Sequence, residues 1–150
     1  FAVNKYIDVI QVPFNAMDRR LIDNNFFEVA RENNKKVFIR SVFLQGLLLM
    51  DEKQIIKKKM GWTLEYIRFL IDFVESQELN LQSFLLNSVL MKIPYVNLII
   101  GIDSMNQLKE NLCFINNSSF NEVHIYKSWW EGLPQYPEKF LNPSLWPKTQ

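Results

Sequence analysis

The chain has 150 residues, enough for one domain with a real core. Basic and acidic side chains nearly cancel, leaving a formal net charge of +1, so nothing marks a nucleic-acid or acidic-surface binder. A hydrophobic fraction of 48% with twelve Phe residues excludes disorder, and a lone cysteine, Cys113, excludes an internal disulfide framework or a multi-Cys metal centre.

No apolar run reaches the ~18 residues of a membrane span. The chain opens on Phe1 without a charged-then-apolar leader, which reads as the interior of a longer protein. Residues 6–12 (YIDVIQV) are a β-branched run closed by Pro13 and predict a first strand. Residues 18–34 predict a helix with Leu21, Ile22, Phe26, Phe27 and Ala30 on one face. Asp18 is placed to cap it, Arg19 and Arg20 read as salt-bridge donors, and Asn33-Asn34 suit its C-terminus. Residues 36–42 (KVFIRSV) predict the second strand. Residues 51–60 are polar and lysine-rich, a loop or a short helix. Within them Lys57-Lys58-Lys59 reads as solvated surface, because three charges without interleaved aromatics make a poor anion-binding patch.

Residues 63–77 predict a helix with Leu64, Ile67, Leu70, Ile71 and Val74 in register and Thr63 as its cap. Another helix follows over 80–91. Beyond Pro94, an apolar third strand (97–101) stops at Gly101. Ser104 then opens a polar helix, and its spacing to Gln107 fits a capping box. The first amides of such a helix favour an anion. Cys113 falls in an apolar pattern with Leu108, Leu112 and Ile115, which predicts burial. From Phe120 onward come Tyr126, Trp129, Trp130, Tyr136, Phe140 and Trp146, interrupted by Pro134, Pro137, Pro143 and Pro147, which forbid one continuous helix. That tail reads either as the wall of a substrate pocket or as a strap packed across the outside of the fold.

The order β-α-β-α-α-β-α, with nearly all-apolar strands, predicts an α/β fold with a parallel sheet covered by helices. Ligands in such folds sit at the carboxyl ends of the strands. Here those ends carry Gln11 within Ile10-Gln11-Val12-Pro13-Phe14-Asn15, the segment Arg40-Ser41-Val42-Phe43-Leu44-Gln45-Gly46, and the segment Gly101 to Ser104. Polar groups in or just beyond apolar strands are costly unless paired, so three such ends together point to a ligand.

These three segments resemble the sixth, seventh and eighth strand regions of the aldo/keto reductases, (β/α)8-barrel enzymes that move a hydride between a nicotinamide cofactor and a carbonyl group. The resemblance runs from about residue 7 to residue 116. It implies the C-terminal portion of a TIM barrel, incomplete as an isolated chain, with residues 1–116 as the last three β/α units and 117–150 as a C-terminal tail. It also implies NADP or NAD as cofactor, a small carbonyl compound as substrate, a cytoplasmic setting, and neither nucleic acid nor membrane as partner. Gln11 would hydrogen-bond the nicotinamide carboxamide. Arg40 stands where many members place an aromatic ring that stacks on nicotinamide, and a guanidinium can stack in its stead. Ser41, Val42, Phe43 and Gln45 would wrap the pyrophosphate, with Gly46 permitting the turn. Gly101, Ser104 and Gln107 would lie around the adenosine 2′-phosphate and adenine, and Glu110 and Asn111 would face the adenine amine. Asp103 would repel a phosphate and accept from a ribose hydroxyl, so NADP should not be strongly favoured over NAD.

The family's catalytic Asp, Tyr, Lys and His come from the first half of the barrel and have no counterpart here; the one histidine, His124, matches none of them. Three strands of an eight-strand barrel would leave two raw edges and an uncovered inner face, to be completed by the remainder of the barrel or a second copy. The alternative reading is a non-catalytic nucleotide-binding or protein-interaction remnant of the same fold. A third, an unrelated open α/β sheet, also stays open.

Overall fold

A period of two in the strands builds a three-stranded parallel sheet in the order β1-β2-β3. In the computed structural model, which describes residues 2–116 and 122–148, β1 (Val9–Pro13) pairs with β2 (Lys36–Arg40) from Val9 opposite Lys36 to Pro13 opposite Arg40. β3 (Asn97–Leu98) joins β2 at Phe38 and Ile39. Phe1, Phe120 and the start of the tail at 117 lie outside the described residues. Pro13 has no amide to donate, but it ends its strand, and the next amide, Phe14 N–H, donates to the Arg40 carbonyl at 3.1 Å.

Ile10, Val37 and Ile39 are buried on one face of the sheet, while Val9, Gln11, Lys36, Arg40 and Asn97 are exposed on the other. Helices therefore cover one face only, and the other is bare. The strands are also shorter than expected. β1 begins at residue 9, where it meets the start of β2, and one further bond reaches back, from Lys36 N–H to the Asp8 carbonyl at 2.9 Å. β3 shrinks from 97–101 to two residues because its one neighbour, β2, leaves the extended conformation at Ser41 (φ 62°); only Ile99 N–H still reaches across, to the Ile39 carbonyl at 2.7 Å.

The helix expected over 18–34 is two: α1 (Arg20–Asp23) and α2 (Phe26–Glu32). Between them Asn25 adopts a left-handed φ of 57°, and the Asn24 side chain accepts from Phe26 N–H at 3.1 Å. Asparagine tolerates that conformation and competes with the helix for backbone donors, so apolar register on either side cannot hold the break closed. Ahead of α1, the buried Asp18 carboxylate accepts from Arg20 N–H and takes the Arg20 guanidinium at 2.7 Å, which holds that guanidinium charged. Arg19 pairs with Asp23 at 3.0 Å and donates to the Leu133 carbonyl at 2.7 Å. Both arginines are thus structural, as expected. α2 ends in a Schellman motif: with Asn34 at φ 54°, Lys35 N–H returns to the Ala30 carbonyl and Asn34 N–H to that of Arg31.

The lysine-rich stretch contains a short helix, α3 (Glu52–Lys57), fastened by a capping box between Asp51 and Gln54. α4 (Leu64–Ser76) follows a 3-10 turn over Gly61–Thr63. Because that turn already bends Thr63 into helical geometry, its hydroxyl donates back to the Met60 carbonyl at 2.8 Å and does not cap α4. α5 (Leu81–Lys92), capped by Asn80, buries six successive residues from Phe84 to Val89. A helix buried on every side must be surrounded, and α5 packs against α4, α6 and α7.

α6 (Met105–Asn116) corrects the reading of Cys113, which is exposed together with Leu112. α6 leans on α5 through another stripe, centred on Asn111, and Asn87 of α5 donates to the Phe114 carbonyl at 3.1 Å.

Of the two roles open for the tail, the strap describes most of it. α7 (Val123–Gly132) and α8 (Glu138–Leu141) send Tyr126, Trp129, Trp130 and Phe140 into the same core as the sheet. The Trp129 indole donates to the Ala16 carbonyl at 2.7 Å and the Trp130 indole to that of Ser88 at 2.9 Å. Trp130 also stacks on Phe14 at 5.5 Å between ring centroids. Burial, helped by a hydrogen bond to Glu122, pushes the Tyr126 phenol well above its ordinary range.

Candidate functional site

The carboxyl ends of the strands open on a cleft of about 650 Å³, within the ~300–1,000 Å³ usual for cofactor and small-ligand sites. β1 supplies Gln11, which stands on the bare face of the sheet in register with Phe38 and, through it, with Asn97. The β2 end supplies Arg40, Ser41, Val42, Phe43, Gln45 and Gly46. The connection from β3 to α6 adds Gly101, and α6 adds Gln107 and Asn111.

Ser104 and Glu110 do not line the cleft. Ser104 is spent as a cap, its hydroxyl accepting from Gln107 N–H at 3.2 Å, and Glu110 is exposed one helical step away from the Asn111 stripe. The capping box closes one residue earlier than the spacing suggested. The Gln107 side chain accepts from Asp103 N–H at 2.8 Å instead of from Ser104. Two of the amide donors at the mouth of α6 are therefore taken by protein.

The loop after β2 is the stronger anion seat. Ser41, Leu44, Gln45 and Gly46 all have positive φ, from 48° to 80°. Only Gly46 is free of a side-chain penalty there. The chain turns so tightly that Leu44 N–H bonds the Ser41 carbonyl and Leu47 N–H that of Leu44, whereas the amides of Val42, Phe43, Gln45 and Gly46 have no acceptor among the described residues. A turn that alternates right- and left-handed residues, as at Phe43-Leu44, gathers successive amides into a concave nest suited to phosphate oxygens. Arg40, whose guanidinium touches the Ser41 hydroxyl at 3.3 Å, adds positive charge at this end. The α6 end carries the Asp103 carboxylate. The cleft thus has a cationic, donor-rich part at the β2 tip and a carboxylate where β3 leads into α6, and the side-chain amides of Gln11, Gln45, Gln107 and Asn111 also line it.

These features suit a ligand with anionic oxygens for the unpaired backbone donors and hydroxyl donors for the carboxylate.

Sequence reasoning missed Leu49, Ile99 and Ile100 on the walls, and above all Gln82. From the first turn of α5, Gln82 donates to the Asn111 side-chain carbonyl at 2.7 Å and lines the same cleft. Its one signal was a polar side chain in the first turn of a mostly buried helix, which also suits an exposed position. His124 is exposed on α7 and does not line the cleft. A second cavity of about 280 Å³ lies between the β2 loop and the tail, walled by Gln45, Met50, Lys58, Pro143 and Trp146 among others.

Among solved structures, the chain is similar to a thermostable aldo-keto reductase crystallised with the inhibitor epalrestat. The TM-score is 0.53 at 21% sequence identity, and the match covers 81% of this chain and 39% of that one. The likeness is one of fold: a parallel α/β arrangement related to part of a barrel. The chain spans about two fifths of the length of the enzyme it matches. No family model matches the sequence, and no curated protein matches it. No helix among the described residues is long and apolar enough to cross a membrane.

Proposed function

We propose that this chain forms the cofactor-binding part of an NAD(P)-dependent oxidoreductase of the aldo/keto reductase type, acting on a small carbonyl compound. The observation that carries the reading is the convergence of Gln11, the β2 loop with its unpaired amides, Asp103, and Gln107 and Asn111 of α6 on one cleft at the strand tips. In this reading Gln11 orients the nicotinamide carboxamide, the amides of Val42, Phe43, Gln45 and Gly46 hold the pyrophosphate, and Asp103 accepts from the adenosine ribose. The cofactor would supply the hydride. No His or Tyr lines the cleft, so the proton for the carbonyl oxygen comes from groups outside these residues, as does the cover for the bare face of the sheet.

Asp103 also sets the cofactor preference. A carboxylate facing the ribose repels a 2′-phosphate, and the cleft's cation, Arg40, sits at the β2 tip and not on the connection that carries Asp103. The test is titration of the intact protein with NADH and NADPH, followed by quenching of tryptophan emission. Saturable binding of NADH at least as tight as NADPH is expected, and Asp103→Lys should tighten NADPH roughly tenfold, about 1.4 kcal/mol. Binding of neither cofactor would end the dinucleotide reading, and a strong NADPH preference would end the role given to Asp103. Turnover with a panel of small aldehydes and ketones separates the enzyme from the non-catalytic remnant, which would bind the cofactor and reduce nothing.

A further inference from the structure

The amide pair between α5 and α6 has no structural duty that requires polar groups. Asn111 is only 5% exposed, yet it lies on the wall of the cleft, and its neighbour across the helix interface is Gln82, also on that wall. Two apolar side chains would pack α5 against α6 as well or better, since a buried amide is costly until it is satisfied. The pair does something an apolar contact cannot: it gives the Asn111 carboxamide a direction. Gln82 Nε2–H donates to Asn111 Oδ1 at 2.7 Å, so the oxygen of Asn111 faces α5 and its NH2 lies on the opposite side of the amide.

We infer that Gln82 is a positioning residue that selects the base of the bound dinucleotide by fixing the orientation of the Asn111 amide; the inference rests on the dinucleotide reading above. Adenine presents an acceptor at N7 beside a donor at N6, and one asparagine amide pairs with both. Oδ1 has a second lone pair for the N6 proton while Gln82 occupies the first, and Nδ2 donates to N7. A hypoxanthine base replaces the N6 donor with an O6 acceptor, so the same amide places oxygen against oxygen and keeps one bond of the two. Turning the amide over would reverse the preference, since adenine would then lose both bonds and hypoxanthine would still keep one. The hydrogen bond from Gln82 prevents that turn.

The test measures dissociation constants of the intact protein for NADH and for its hypoxanthine analogue, in the wild type and in Gln82→Glu and Gln82→Leu. The two ligands carry the same charge, so their ratio isolates the base. The wild type should favour the adenine form about tenfold or more. A glutamate at 82 only accepts, so it binds Asn111 Nδ2, turns the amide and brings the ratio to one or below. In Gln82→Leu the amide takes either orientation and the ratio falls between. Folding is not at risk in the first variant, because position 82 is in the first turn of α5, where a carboxylate suits the helix dipole. Unchanged adenine preference in both variants would overturn the inference while leaving dinucleotide binding intact. Binding of neither ligand by the wild type would overturn the dinucleotide reading, and this inference with it.

Discussion

At the scale of single residues, the indoles of the tail show how a few polar atoms hold a mostly apolar core in register. Trp129 is 2% exposed, meets Phe73 and Phe84 with ring centroids 4.9 and 5.4 Å away, and spends its one donor on the Ala16 carbonyl. Ala16 is fully buried, so nothing else can reach that oxygen cheaply. Trp129→Phe should therefore cost about 1–3 kcal/mol for the unpaired carbonyl alone, lowering the melting temperature of a chain this size by several degrees. Calorimetry on the variant checks this, and an unchanged melting temperature would show that water replaces the indole. Sequence alone marked Trp129 as an aromatic in a proline-broken segment. It could not say that the side chain turns inward, because its partner lies more than a hundred positions away in the chain.

Secondary-structure elements were legible where local signals agreed and obscure where neighbours decided. The three strands, their parallel arrangement and the helix cap at Ser104 follow from periodicity and short-range chemistry. The break between α1 and α2 does not, since Leu21, Ile22, Phe26 and Phe27 keep helical register straight across it; two consecutive asparagines override them. Nor does the exposure of Cys113, which depends on how α6 is rolled against α5. The β2 loop was legible at Gly46, and there the conformation matters most, with φ at 80°. A methyl group at that position would meet only the Met50 side chain, at 3.7 Å, so space is available and the backbone alone objects. Gly46→Ala is expected to cost about 1 kcal/mol and to weaken cofactor binding more than it lowers stability, because it loosens the nest of amides. Parallel urea melts and NADH titrations separate the two effects.

For the molecule as a whole, the decisive property is a sheet with helices on one face and none on the other. Val9 is 54% exposed and Ile99 45%, both on or beside the strands, and both outer strands have one unpaired side. Such a face calls for cover, and the reading above assigns that cover to the rest of a barrel. Residues 1–150 produced alone should bind a hydrophobic dye and self-associate, and both behaviours should vanish in the intact protein. A dye-silent, monomeric fragment with a sharp unfolding transition would contradict the assignment. The candidate cleft itself was largely legible, because strand tips are where α/β folds place ligands. Gln82 was not, because an amide that works by aiming another amide leaves no mark in its own stretch of sequence.

The Trp129–Ala16 bond also sets a timetable. Its partners are 113 residues apart, so at about 5–20 residues added per second the first loop leaves the ribosome on the order of ten seconds before the indole that secures it is made. During that interval Phe14 lacks the Trp130 ring on which it stacks. A nascent chain of this design depends on whatever shelters it while synthesis finishes, and a premature stop ahead of Trp129 would discard that fastening along with the final helices.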